Sequence, residues 1–185
     1  MAETFLHRLV GAAMLDAATY EEVEADRRAT PQALAIVMFS SLAAGIGARG
    51  SSGSAATCAF FATASVMAVM MWAAFALVTF EVGVRILPTA ETRVDVGELL
   101  RTLGFAATPG LIQVFGVFPG ATVPVFTLAI LWALVASVIA VRQALDYTST
   151  SRAVAVCGLA LVLSLAIAVV LGLLFGPTLS GFWRS

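Results

Sequence analysis

Lysine is absent from this chain, histidine occurs once, as His7, and cysteine twice, as Cys58 and Cys157. Charged residues of both signs make up 11% of the 185 positions, far below the quarter or so typical of a soluble domain. Each shortage excludes something. Ten arginines against eleven acids leave a net charge of -1, without the basic surplus that nucleic-acid binding requires. The one histidine lies outside the long apolar tracts and no aspartate lies inside them, so neither a serine–histidine pair nor an aspartyl dyad can be assembled there. No cysteine and histidine cluster has metal spacing, no phosphate-binding loop occurs, and "GSSGS" at 50–54 resembles a nucleophile elbow without a strand before it or a partner. The expectation is a chain that is not an enzyme and holds no cofactor or metal.

What the chain has is apolar length. Hydrophobic residues make up 61% and the mean hydropathy is +1.01, which marks an all-α membrane protein. A helix needs about 20 apolar residues to cross the hydrocarbon core, and five tracts qualify, at 31–47, 55–80, 99–118, 121–141 and 153–175. Thr30 reads as the N-cap of the first, with Pro31 at its first helical position. Asp95 and Glu98 have capping-box spacing ahead of the third. That third tract contains Arg101 and is interrupted by Thr108, Pro109 and Gly110, while Phe118, Pro119 and Gly120 read as a tight turn. "ARGSSGS" at 48–54 reads as a flexible turn and "LPTAETRVDVG" at 87–97 as a polar loop. The division is residues 1–30 as an N-terminal cytoplasmic or interfacial segment and 31–185 as a five-helix transmembrane domain.

Arginine placement orients the tracts. Arg8, Arg27, Arg28, Arg85, Arg93, Arg101, Arg142 and Arg152 fall on one side and Arg49 and Arg184 on the other, which predicts a cytoplasmic N-terminus. Cys58 and Cys157 then begin tracts from opposite faces, roughly 20 Å apart in depth at 1.5 Å per residue. A disulfide needs Cα atoms within about 7 Å, so both thiols are expected free.

The segment "FLHRLVGAAMLDAATYEEVEADRR" has no cleavable-leader pattern, because Asp16 and the acidic run at 21–26 follow a brief apolar stretch. Phe5, Leu6, Leu9, Val10, Ala13 and Ala17 form a helical stripe, the mark of a short amphipathic helix on a membrane surface. The acids outnumber the arginines there, so the run at 21–26 is either a solvated face or a contact for a basic partner. Trp72 and Trp132 fall near the middles of tracts two and four and are expected to pack, facing each other. Trp183 reads as an interfacial anchor, and Gly172 with Gly176 as a small-xxx-small pair.

Polar residues inside or bordering the tracts are the candidates for function. Glu81 with Arg85, and Arg142 with Asp146, are spaced for helical pairing. Together with Arg101 they suggest a network that is either a binding site or a structural clamp. Thr148 to Ser151 offer hydroxyls to cap the fifth tract. Gln113, between the two breaks of the third tract, raises the alternative of a small channel or transporter built on a broken helix.

The runs "TYEEVEADRRATPQALAIVMFSSLAAGIG", "ELLRTLGFAATPG" and "LWALVASVIAVRQALDYTSTSRAVAV", in that order, resemble bacterial members of the Yip family, the Ypt/Rab-interacting membrane proteins. The resemblance implies five helices, a cytoplasmic N-terminus and residence in the bacterial cytoplasmic (inner) membrane. Eukaryotic members act in vesicle traffic and contact prenylated GTPases, but this chain lacks their long N-terminal region and their "DLYGP"-type motif. The matching positions Arg101, Pro109, Arg142, Gln143 and Asp146 are the ones the resemblance singles out. The expected function is a membrane scaffold or accessory subunit, in contact with the lipid bilayer and with a membrane-protein partner or a second copy, and with no nucleic acid.

Overall fold

Residues at the tract boundaries decide where each helix starts and stops. The computed structural model describes residues 2–52, 58–88 and 94–182, and the regular structure among them is helical throughout. It comprises α1 (Ala2–Ala13), α2 (Ala17–Ala25), α3 (Thr30–Ser52), α4 (Cys58–Glu81), α5 (Val96–Ala106), α6 (Thr122–Ala144) and α7 (Thr150–Phe182). Among the described residues, four stretches are long and apolar enough to cross a membrane: Arg27–Ala48, Ser65–Ile86, Thr122–Ala144 and Thr150–Val170. Exposed apolar side chains such as Met70, Leu131 and Leu165 cover their outward faces, as lipid contact requires.

The third tract is not one helix. α5 ends at Ala106 and a 3-10 segment, Thr108–Val117, follows. Pro109 has no N–H for the carbonyl of Phe105 four residues back, and the Thr108 hydroxyl donates to that carbonyl instead, at 2.6 Å. The amides of Ala107 and Gly110 bond three residues back, to Gly104 and Ala107, which tightens the turn. The broken segment then runs alongside α3 in the same direction. Gly104 lies on Ala33, where an added Cβ would come within 2.6 Å of the alanine Cβ. The Ser40 hydroxyl donates to the Ala107 carbonyl at 2.9 Å, and Gly47 packs directly on the Gln113 carbonyl. From Ala33 to Gly47 this contact extends about 21 Å at 1.5 Å per residue.

Several boundary readings hold. Asp95 and Glu98 form the full capping box at 2.7 and 2.8 Å. Gly120 turns the chain into α6 at φ +78, a region open to glycine. At α3 the cap differs: Asp26 accepts from the Arg28 amide at 2.9 Å and starts a 3-10 turn, Arg27–Ala29, while Thr30 lies within the helix and donates to the Arg27 carbonyl. Helix α3 also continues through Ser52, past the start of the expected turn at 48–54, because no residue there forbids a helix. Residues 53–57, residues 89–93 of the polar loop, Trp183, the side chain of Cys58 and the surroundings of Gly172 and Gly176 lie outside what the structure describes.

The N-terminal segment is a helical hairpin rather than a lone surface helix. α1 ends in a Schellman arrangement, with Asp16 N–H bonded to the Gly11 carbonyl, Leu15 N–H to the Ala12 carbonyl, and Leu15 left-handed at φ 63. Asp16 then caps α2 through Ala18 N and Thr19 Oγ1. The expected stripe divides accordingly. Phe5 and Leu9 pack on the core with Ala12, Leu6 and Val10 face outward, and Ala17 belongs to the next helix. Ala12, Tyr20 and Val23 join Leu99, Leu103, Phe105, Val141 and Leu145 in one buried cluster, so the hairpin shares the core of the bundle.

Trp132 donates its indole N–H to the Ala13 carbonyl at 2.9 Å, which ties α6 to the hairpin rather than to Trp72. Cys157 is buried and free, its thiol 3.6 Å from the Ser137 carbonyl, as a small hydrophobe would sit.

Candidate functional site

The charged island after α6 is first a helix stop. Tyr147 N–H bonds to the Arg142 carbonyl and Asp146 N–H to the Gln143 carbonyl, both at 2.9 Å, a second Schellman ending. Asp146 occupies the left-handed position at φ 51 that glycine usually takes. Because Asp146 has left the helix, it does not pair with Arg142 as the i,i+4 spacing suggested. Among the described residues the ion pairs are Arg8–Glu22, Arg8–Asp26 and Arg85–Glu81. Arg142 Nε instead donates to the Tyr147 carbonyl at 3.3 Å.

Tyr147 locks this turn to the end of α4. That helix widens into a π-turn over Val82–Ile86, where Leu87 N–H reaches back five residues to the Val82 carbonyl. The Tyr147 hydroxyl lies 2.8 Å from the Leu87 carbonyl and 3.3 Å from that of Gly83. Arg152 adds a bond to the Pro88 carbonyl at 3.3 Å. The hydroxyls of Ser149 and Ser151 bond to each other at 2.7 Å.

The hairpin docks beside this turn through charged groups. Arg101, 4% exposed, donates Nε to the Val23 and Glu24 carbonyls at 3.2 and 3.1 Å, and its Nη2 also reaches the Glu24 carbonyl. It therefore caps the C-terminal turn of α2, where carbonyls lack intrahelical partners and the dipole favours a cation. Arg8, also buried, pairs with Glu22 at 2.8 Å and Asp26 at 2.9 Å. Bonds from the Arg28 amide and the Arg8 side chain hold the Asp26 carboxyl below its ordinary range. Gln143 Nε2 donates to Glu21 at 2.6 Å.

Between α2 and the α6–α7 turn lies an open recess of about 550 Å³, lined by Glu21, Glu24, Arg142, Gln143, Asp146, Tyr147 and Thr148, with Ala25. Burial, followed by the nearby charges of Asp146, Glu98 and Glu21, raises the Glu24 carboxyl to about 7 against the pull of Arg101. The site is thus a mixed-charge recess suited to gripping a polar or charged group. Among the described residues no cluster of His, Cys, Asp or Glu is arranged to hold a metal ion.

The structure brings Arg142, Gln143 and Asp146 together and places Arg101 behind them, under α2. It does not join the others to this group. Glu81 and Arg85 form a separate exposed pair at 2.8 Å, and Gln113 lies in the 3-10 segment against Gly47. Sequence reasoning missed Glu21, Glu24 and Tyr147 as site residues. The acidic run at 21–26 was the visible signal, but only docking distinguishes the acids that face water from those that line a recess.

The Yip1 domain model matches residues 16–171. The chain belongs to the Yip1 domain family. The match takes in α2, the broken third tract and the α6–α7 turn, so the recess is built wholly from residues of the Yip1 domain. No curated protein and no solved structure matches the chain.

Glu24 makes the docking of α2 in this Yip1 domain sensitive to pH. Its folded value, about 7, exceeds the ordinary 4.5, so the folded state holds the proton more tightly. The stability this confers is fully present below the ordinary value and is lost as pH rises through about 7. Thermal melts of the detergent-purified protein are expected to show a higher midpoint at pH 6 than at pH 8, and Glu24→Gln to remove most of that difference. An equal pH dependence in the variant would assign it elsewhere.

Proposed function

We propose that this Yip1-domain chain is a non-enzymatic scaffold or accessory subunit of a bacterial inner-membrane assembly. It crosses the bilayer five times and presents its recess to the cytoplasm. The observation that carries this reading is the recess itself, polar and open, held between the docked hairpin and the Tyr147-locked turn. Its lining has carboxylates, an arginine, an amide and hydroxyls, a set suited to binding a partner's polar segment, with no histidine or cysteine among them. Five crossings are supported by the run of the broken third segment alongside α3, over about 21 Å at 1.5 Å per residue. The cytoplasmic orientation is supported by the gathering of Arg8, Arg101, Arg142 and Arg152 at the recess end.

The rival transport reading relied on unsatisfied backbone at the break in the third tract. Thr108 and Ser40 take up the Phe105 and Ala107 carbonyls there, and Gly104 and Gly47 close the segment onto α3. A backbone satisfied in this way has no need of a water-filled passage.

The test is affinity purification from native membranes in mild detergent. A defined membrane partner is expected with the wild type and should be lost with Arg142→Ser/Asp146→Ser while thermal melts show the variant still cooperatively folded. Asp146→Gly provides a second variant, since glycine suits the left-handed turn while removing the carboxylate. Retention of the partner by both variants, or liposome flux that disappears in Gln113→Ala, would overturn the proposal.

A further inference from the structure

α1 is packed on one side only. Phe5, Leu9 and Ala12 face the core, and Arg8 turns inward to Glu22, Asp26 and Gln32. On the opposite side Leu6, Val10 and Met14 form an outward row at four-residue spacing, exposed by 58%, 55% and 75%. The row faces away from every charge that docks the hairpin.

Depth identifies what covers it. The carbonyl of Ala13, beside Met14, is bonded to Trp132, which stands in the middle of the span Thr122–Ala144. Around Trp132, α6 presents Leu128, Leu131, Leu134 and Val135 outward, as a span facing acyl chains does. The α1 row therefore continues an apolar surface that already meets lipid.

We infer that the Leu6–Val10–Met14 face of α1 is a lipid-contact surface, set against the acyl chains beside α6. The insertion is apolar rather than electrostatic, because the only arginine of α1 is engaged with acids inside the protein. It goes beyond the scaffold reading and does not depend on it.

Nitroxide labels on the full chain in vesicles test this, with Cys58 and Cys157 replaced by alanine. Labels at Met14→Cys and, independently, Val10→Cys are expected to be more accessible to oxygen than to a water-soluble nickel chelate, with the opposite order at Glu21→Cys. The result should be the same in pure phosphatidylcholine vesicles and in vesicles containing phosphatidylglycerol. Access of positions 10 and 14 to the chelate, as at 21, would place the face in water and overturn the inference. Protection from both reagents would mean that protein covers it, and would overturn it equally. Unlabelled variants that keep the parental thermal midpoint establish that the fold is intact.

Discussion

Replacing Arg101 with methionine is expected to destabilise the protein by about 3 kcal/mol, among the largest effects of any single change outside the spans. Methionine is shorter, ending where the guanidinium begins, but keeps the apolar stem packed. What it removes is the guanidinium that serves the Val23 and Glu24 carbonyls. Those carbonyls end α2, and Val23 is fully buried, so water does not replace the lost donors without opening the core. Glu24 loses its one favourable neighbouring charge as well, and its carboxyl moves further upward. Arg101→Lys should recover only part of the loss, since an ammonium lacks the planar fork that serves two carbonyls at once. Thermal melts give the size of the effect, and limited proteolysis at 26–30 reports the release of the hairpin. A midpoint for Arg101→Met within a degree of wild type would show that the cap contributes nothing.

Gly47→Ala is expected to destabilise by about 2 kcal/mol, a sign opposite to that of local propensity. In an isolated helix alanine is favoured over glycine by about 1 kcal/mol. Here the new methyl would overlap the Gln113 backbone carbonyl, with Phe126 on its other side, and a backbone atom in a packed segment has little room to move. Overpacking of this kind typically costs about 1 to 3 kcal/mol, which outweighs the propensity gain. Gly158→Ala in α7 is the internal control, because a Cβ there meets nothing within 4 Å. It should be neutral or slightly stabilising. Equal behaviour of the two variants in thermal melts would mean that α3 and the third segment are not in close contact.

The sign reversal at Gly47 marks the boundary of what a sequence carries. Local chemistry was legible wherever a few neighbouring residues decide the outcome. The Asp95–Glu98 capping box, the Gly120 turn and the break at Pro109 follow from hydrogen-bonding capacity within one or two helical turns. The partners of Arg101 and Gln143 were not legible. Gln143 meets Glu21 across 122 positions, and Arg101 binds backbone carbonyls, which every residue possesses and no side-chain pattern distinguishes. The expected pairing of Arg142 with Asp146 assumed that the helix continued, and a left-handed aspartate ended it.

By itself the sequence determined a helical membrane protein, the places where its helices break, and its likeness to Yip proteins, because hydropathy summed over about 20 residues is large compared with any single contact. Only the tertiary structure decided which faces turn inward, since spans that are apolar all round carry no periodic signal of their buried side. It also decided that the N-terminal segment docks as a hairpin and encloses a recess with the α6–α7 turn, because that geometry rests on a few polar contacts between residues far apart in the chain.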